Sequence, residues 1–128
     1  MSTPFIFVST HTINEGKLDD FMGQLRLFAE FVEVNEPNLI DFKAFLDDDQ
    51  TEVSLVFVYP DSDAADHHLQ LAGDLIAKGF AITEQARLEV YGQPGPLLER
   101  ALKGNRERGV PVSVKANAVA EVTRSAAA

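Results

Sequence analysis

The hydrophobic period of this sequence changes along the chain in the order two, 3.6, two, two, 3.6, two, and that order leaves few folds open. Residues Phe5 to Ile13 (FIFVSTHTI) are β-branched and aromatic, and they read as a first strand. Phe5, Phe7, Ser9, His11 and Ile13 share one of its faces. After the turn Asn14-Glu15-Gly16, residues 17–34 place Leu18, Phe21, Met22, Leu25, Phe28, Ala29 and Val32 at helical spacing. Leu27, Phe31 and Val34 widen the apolar face, which suggests a second contact. Pro37 disfavours helical geometry in the residue before it and ends this helix. Leu39–Leu46 and Glu52–Tyr59 are two further strands joined at Asp47-Asp48-Asp49-Gln50. Those three aspartates lack the Gly and the distal Glu of a calcium loop and read as a solvated hairpin turn. Asp61-Ser62-Asp63 starts a helix from about Ala64 to Lys78, with Gly79 at its C-terminal stop. Ala86–Tyr91 is the fourth strand, and Gly92-Gln93-Pro94-Gly95-Pro96 breaks regular structure.

The order β-α-β-β-α-β predicts an α+β, ferredoxin-like fold: a four-stranded antiparallel sheet with two helices on one face. The second face of such a sheet carries apolar residues that rarely stay exposed to water. Packing of two sheets face to face, giving a homodimer, is the expected remedy. This domain occupies residues 1–95. Residues 96–128 form a C-terminal extension, with two turns of helix over Pro96–Lys103, a charged loop, a short strand over Val110–Val114 and a frayed end. The strand is expected to dock on the body or on a partner subunit.

Composition narrows the function classes. The 128 residues contain no Cys, which removes disulfides, thiolate metal sites and cysteine nucleophiles. Residues 1–98 hold 5 basic and 17 acidic side chains, a net of −12, whereas residues 99–128 hold 6 basic and 3 acidic, a net of +3. An acidic body repels nucleic acid and anionic membranes, so neither is an expected partner. No apolar run reaches membrane-spanning length, and the N-terminal apolar run has no basic segment before it. The expected location is therefore the cytoplasm. Neither a Gly-rich phosphate loop nor a G-x-S-x-G elbow is present.

Among candidate site residues, His68 shares a helix face with Ala65, Leu69, Ala72 and Leu75 and should point towards the sheet. Imidazole moves protons near neutral pH, which suits an acid–base role; a buried histidine satisfied by a neighbour is the alternative. His11 lies on the first strand beside Ser9, where it either approaches the same cavity or sits at the rim. His67 faces elsewhere on the helix and should be exposed. Adjacent His67 and His68 do not make a metal pair, because ligands on one helix face need a spacing near i, i+4. Tyr59 and Tyr91 end strands and offer phenolic hydrogen bonds, or else pack their rings and leave the oxygen wet. Arg87 and Lys43 are more simply paired with Glu89 and Asp41 than held for a substrate.

Several of these features together resemble the antibiotic-biosynthesis-monooxygenase-like family of the dimeric α+β barrel superfamily. They are the apolar first strand entering Glu15-Gly16-Lys17, the helix with Asp20-Phe21, and the Glu36-Pro37-Asn38 break. The Val53–Tyr59 strand and the Asp61…Ala64…His68-Leu69 helix start complete the set. The resemblance spans roughly residues 5–92 and rests on element order and spacing. It implies a dimeric barrel, with members that include cofactor-free oxygenases converting phenolic polyketides to quinones and others that degrade haem. His68 matches the family's helix histidine. The pocket Trp and Asn of better-understood members are missing here: the chain has no Trp, and its first strand offers Ser9 and His11. The resulting expectation is a cofactor-independent monooxygenase acting on a small aromatic or polyketide-like molecule, with His68 as acid/base or orienting group and His11 or Tyr59 assisting. It needs neither metal nor bound cofactor. The alternative is a non-catalytic dimeric module that binds a small ligand or a protein partner.

Overall fold

A computed structural model describes residues 4–122 and 124. The chain runs β1 (Phe5–Ile13), α1 (Leu18–Asn35), β2 (Asp41–Leu46), β3 (Glu52–Tyr59), α2 (Ser62–Leu71), α3 (Gly73–Phe80), β4 (Thr83–Tyr91), α4 (Pro96–Glu107) and β5 (Val112–Lys115). The sheet order is β2-β3-β1-β4-β5, and the first four strands pair antiparallel as in a ferredoxin-like unit. One inner face carries Phe5, Phe57, Tyr59, Leu88 and Val90, and α1 lays Phe28 and Val32 against it. The opposite face presents Ile6, Val8, Val56 and Val58 side by side, since Ile6 pairs with Val58 and Val8 with Val56.

Four differences from the sequence expectation have physical causes. The sheet has five strands, not four, because β5 adds parallel to β4, with Leu88 opposite Val112 and Val90 opposite Val114. The predicted helix over residues 64–78 is two helices, broken at Ala72, whose φ of −96° and ψ of 7° leave helical geometry just before Gly73. Glycine at a helix start costs less than in a helix interior, so the break falls where the chain loses least. Gly79 is not the stop: it lies in the last turn of α3, and its carbonyl accepts from the Thr83 hydroxyl. Finally, β4 begins at Thr83, three residues before the predicted start. Thr10 pairs with Arg87 and His11 with Gln85, so Ala86 is an extra residue in a bulge. The bulge breaks alternation and turns Gln85 and Thr83 to the same side as Leu88.

The extension is part of the packed body. Helix α4 is three turns long where two were predicted, and Leu98 and Leu102 are buried beneath it. Both Asp66 carboxylate oxygens accept from the backbone of its first turn, at Leu97 N (3.2 Å) and Leu98 N (3.0 Å). This carboxylate from α2 supplies the cap that the extension's own sequence lacks. The predicted frayed end falls largely on residues outside those described. Leu27 and Val34 on α1 are exposed, whereas Phe31 packs at the edge of the core. No described helix is long and apolar enough to cross a membrane.

Candidate functional site

Between the inner sheet face and α1, α3 and α4 lies a cavity of about 360 Å³, within the usual size range for small-molecule sites. Its walls are mostly apolar: Phe7, Phe28, Leu55, Phe57, Leu75 and Ile76 all contribute. A single chain builds it. Helix α4 closes it with Leu98, Ala101, Gly104, Asn105 and Arg108, which share one face at spacings of three and four.

His68 lines this cavity, as its helix face predicts. Its Nδ1–H donates to both carboxylate oxygens of Glu36, at 2.7 Å and 2.9 Å. The His68 and Glu36 side chains are only 4% and 3% exposed. The ring is held edge-on to Phe28 at 5.6 Å and against Phe57 at 5.0 Å. Glu36 reaches this place because α1 ends there: it is the C-cap, and its N–H donates to the Val32 carbonyl. An unpaired buried carboxylate costs several kcal/mol, so Glu36 and His68 specify each other's position. With Nδ1 committed to Glu36, Nε2 is the nitrogen left for a ligand. A carboxylate behind an imidazole fixes the tautomer and stabilises the imidazolium formed on taking up a proton.

His11 lines the same cavity, in a second polar group. Thr83 donates its hydroxyl proton to the Gly79 carbonyl at 2.8 Å, so its oxygen accepts from His11 Nδ1–H at 3.2 Å. Nε2 then accepts from the Ser9 hydroxyl at 2.8 Å. Gln85 Nε2 donates to Ser9 Oγ at 2.9 Å and to the Thr10 carbonyl at 3.0 Å. Burial pushes the His11 pKa down from 6.5 to about 4. Burial makes its imidazolium costly, and the ring stays neutral at pH 7. The two cavity histidines thus differ in kind: His68 is equipped to hold a proton, and His11 is equipped to make hydrogen bonds.

The two groups stand apart along the sheet. His68 packs on Phe57, which pairs with Phe7, and His11 is four residues further along β1. At the rise of a strand this is roughly 13 Å. Asn105 and Arg108 lie away from His68, because α4 starts against Asp66, on the same helix as His68, and runs from there towards the Ser9 level of β1, where the Pro111 carbonyl accepts from Leu88 N opposite Ser9.

Tyr59 is not brought into the cavity lining. It stacks on Phe57 with an interplanar angle of 5°, behind His68, and its hydroxyl is buried without a hydrogen-bond partner. Burial and the nearby Glu36 charge push its pKa well up, so it stays protonated. Tyr91 donates to Glu89, Arg87 pairs with Glu52 and Glu89, and Lys43 pairs with Asp41. His67 is exposed. Among the described residues no group of three His, Asp or Glu side chains is placed to hold a metal ion.

Glu36, Thr83, Gln85 and Arg108 were not legible as site residues. Glu36 is 32 positions from His68, and its only local mark is a carboxylate immediately before a helix-ending proline.

No family model matches the sequence, and no curated protein matches it. Solved structures do. MupZ from Pseudomonas fluorescens is 19% identical with a TM-score of 0.75, over 98% of this chain and 98% of MupZ. SnoaB, a cofactor-independent oxygenase from Streptomyces nogalater, is 18% identical with a TM-score of 0.61, over 73% of this chain and 96% of SnoaB. A protein of Caulobacter crescentus CB15, named a putative antibiotic biosynthesis monooxygenase, is 18% identical with a TM-score of 0.63, over 70% of this chain and 88% of its own. The likeness to MupZ runs into the C-terminal extension, and that to the other two covers little more than the ferredoxin-like unit. At these identities the shared property is the fold, and the ferredoxin-like α+β fold of this chain is the one these three proteins share.

Proposed function

We propose that this protein is a cofactor-independent oxygenase whose His68–Glu36 pair deprotonates a small aromatic or polyketide-like phenol. The observation that carries this reading is the buried carboxylate–imidazole pair opening on a cavity walled by Phe7, Phe28 and Phe57. The aromatic walls favour a flat, apolar substrate. His68 Nε2 takes the phenolic proton, and Glu36 holds the imidazolium. The resulting anion is electron-rich enough to pass electrons to molecular oxygen. Over the reaction a phenol and O2 give a quinone and water, with one oxygen atom retained in the product and the other released. The mostly apolar walls beside His68 offer water few partners there, which limits its competition for the anion. The likeness in fold to SnoaB is consistent with this chemistry.

The same reading takes the protein as a homodimer acting in the cytoplasm, with the Ile6, Val8, Val56 and Val58 strip as the contact. Each cavity would then be complete within its own protomer. His11 assists by orienting the substrate's polar groups rather than by proton transfer. Tyr59 supports the ring of His68 from behind.

The test is oxygen uptake with an acidic polycyclic phenol, followed by an oxygen electrode with quinone detected by its absorbance. His68→Ala should slow turnover at least about a hundredfold, as expected for loss of a general base. Unchanged turnover in that variant removes His68 from the mechanism. Saturable binding of the phenol by the unaltered protein with no oxygen uptake favours a ligand-binding module instead.

A further inference from the structure

We propose that the cavity end opposite His68 binds a carboxylate through Arg108, so that the ligand is a linear apolar acid. This inference refines the substrate class of the same cavity and rests on that cavity being the ligand site.

The argument starts from charge. The body of the chain is strongly acidic, yet no Asp, Glu or Lys lines the cavity; its charged lining residues besides the histidines are Arg100 on α4 and Arg108 at the C-cap of α4, both exposed and so placed at the cavity mouth. Among the described residues neither arginine has an acidic side chain within ion-pair distance, in contrast to Arg87, which contacts two glutamates. In a chain with 20 acidic residues, a cation at a cavity without a carboxylate is available for an anionic ligand. Of the two, Arg108 is the one held in place. Its Nη2 donates to Asn105 Oδ1 at 2.8 Å, and Asn105 is buried and anchored in turn by donation to the Ala101 carbonyl at 2.8 Å. This relay leaves the remaining guanidinium donors for a ligand. A planar guanidinium suits the two oxygens of a carboxylate.

The neighbours define what binds beside it. The Ser9–His11–Thr83–Gln85 group at this end is neutral and hydrogen-bonding, so it tolerates an anion without supplying the counter-charge. At the other end the Glu36 carboxylate, behind His68 and outside the lining, disfavours a second carboxylate nearby. An acid therefore has one favourable orientation, with its carboxylate at Arg108 and its far end at His68. The lining runs along β1 from Phe7 to His11, roughly 13 Å of strand, a length that takes about three fused rings. Arg100, two turns back along α4, also lines the cavity mouth, has no side-chain partner holding it among the described residues, and serves as the control.

Anthracene-2-carboxylate and anthracene-2-methanol, which differ in charge at one end, are titrated into the full chain by ligand fluorescence. We expect the acid to bind at least about tenfold tighter than the alcohol, the size of a charge-assisted hydrogen bond. Arg108→Gln should abolish that preference, bringing the acid to the affinity of the alcohol for the same variant. Arg108→Lys, which keeps the charge, should retain part of the preference, and Arg100→Gln most of it. Equal binding of acid and alcohol by the unaltered protein, no binding of either, or a preference that survives Arg108→Gln would each overturn the assignment. Should Arg108→Gln fail to fold, the acid–alcohol comparison on the unaltered protein and the Arg108→Lys variant decides. Oxygen plays no part in this assay. His68→Ala should keep the preference for the acid, so failure of the oxygenase reading and failure of this one give different results.

Discussion

At the residue scale, two histidines in one cavity show how partners set chemistry. His68 has a carboxylate on Nδ1 and is equipped to carry a proton; His11 has hydroxyl partners and is kept neutral. Glu36→Gln leaves the shape of the His68 contact but removes the charge that stabilises imidazolium. Oxygen uptake should fall about a hundredfold, with the affinity for a neutral ligand little changed. His11 bears on stability. Its folded pKa of about 4 lies below the unfolded value of 6.5, so above pH 6.5 the ring is neutral in both states and the stability is fully present. As pH falls from 6.5 towards 4 the unfolded chain takes up a proton that the folded chain refuses. That window should cost roughly 3 kcal/mol. Urea unfolding at pH 7 and pH 4.5 should show His11→Gln losing less stability between the two than the unaltered protein. Equal losses would mean the ring is protonated in the fold. Little of this was legible from sequence. Helical spacing placed His68 on the inward face, but the identity of its partner depends on where α1 ends relative to α2.

At the element scale, the extension is fastened by one carboxylate and one glycine. Asp66 caps α4, and a Cβ at Gly95 would come within 2.4 Å of Asp66 Oδ2. Gly95→Ala forces the carboxylate away from the helix start. It should destabilise the protein by about 1 kcal/mol, the usual worth of a helix cap. Limited proteolysis should then cut first near residues 93–96. Asp66→Ala should give the same pattern, and an unchanged cleavage map in both variants would mean α4 is held mainly by Leu98 and Leu102. The bulge at Ala86 is the second decisive local feature. Alternation begins only after it, so reading by period located β4 from residue 86 onwards and missed Thr83 and Gln85. Gly92 also fixes the path of the chain after β4: its φ is +125°, and a Cβ there would lie 2.7 Å from the Phe5 ring.

At the scale of the whole molecule, the sheet has one face covered by helices and one carrying the Ile6, Val8, Val56, Val58 strip. If that strip is a subunit contact, Val56→Lys should convert the dimer to a monomer by sedimentation. A monomeric unaltered protein would remove the homodimer from the proposal. Removing residues 96–128 should cost more than a loose tail would. It strips α4 from the cavity and β5 from β4, leaving Leu88 and Val90 without Val112 and Val114 beside them. Loss of cooperative thermal unfolding is the expected result.

The sequence by itself determined the order of elements, the inward face of α1 and the inward placement of His68. These follow from period and breakers, which are local properties of a chain. Tertiary structure alone decided that Glu36 meets His68 and that Thr83 and Gln85 join Ser9 and His11. It also decided that Tyr59 is withheld from the cavity and that α4 closes it with Arg108. Each of these depends on contacts between residues distant in sequence. Such contacts are fixed by helix ends, by a bulge and by one carboxylate reaching across to another helix, and none of these leaves a periodic signal in the chain.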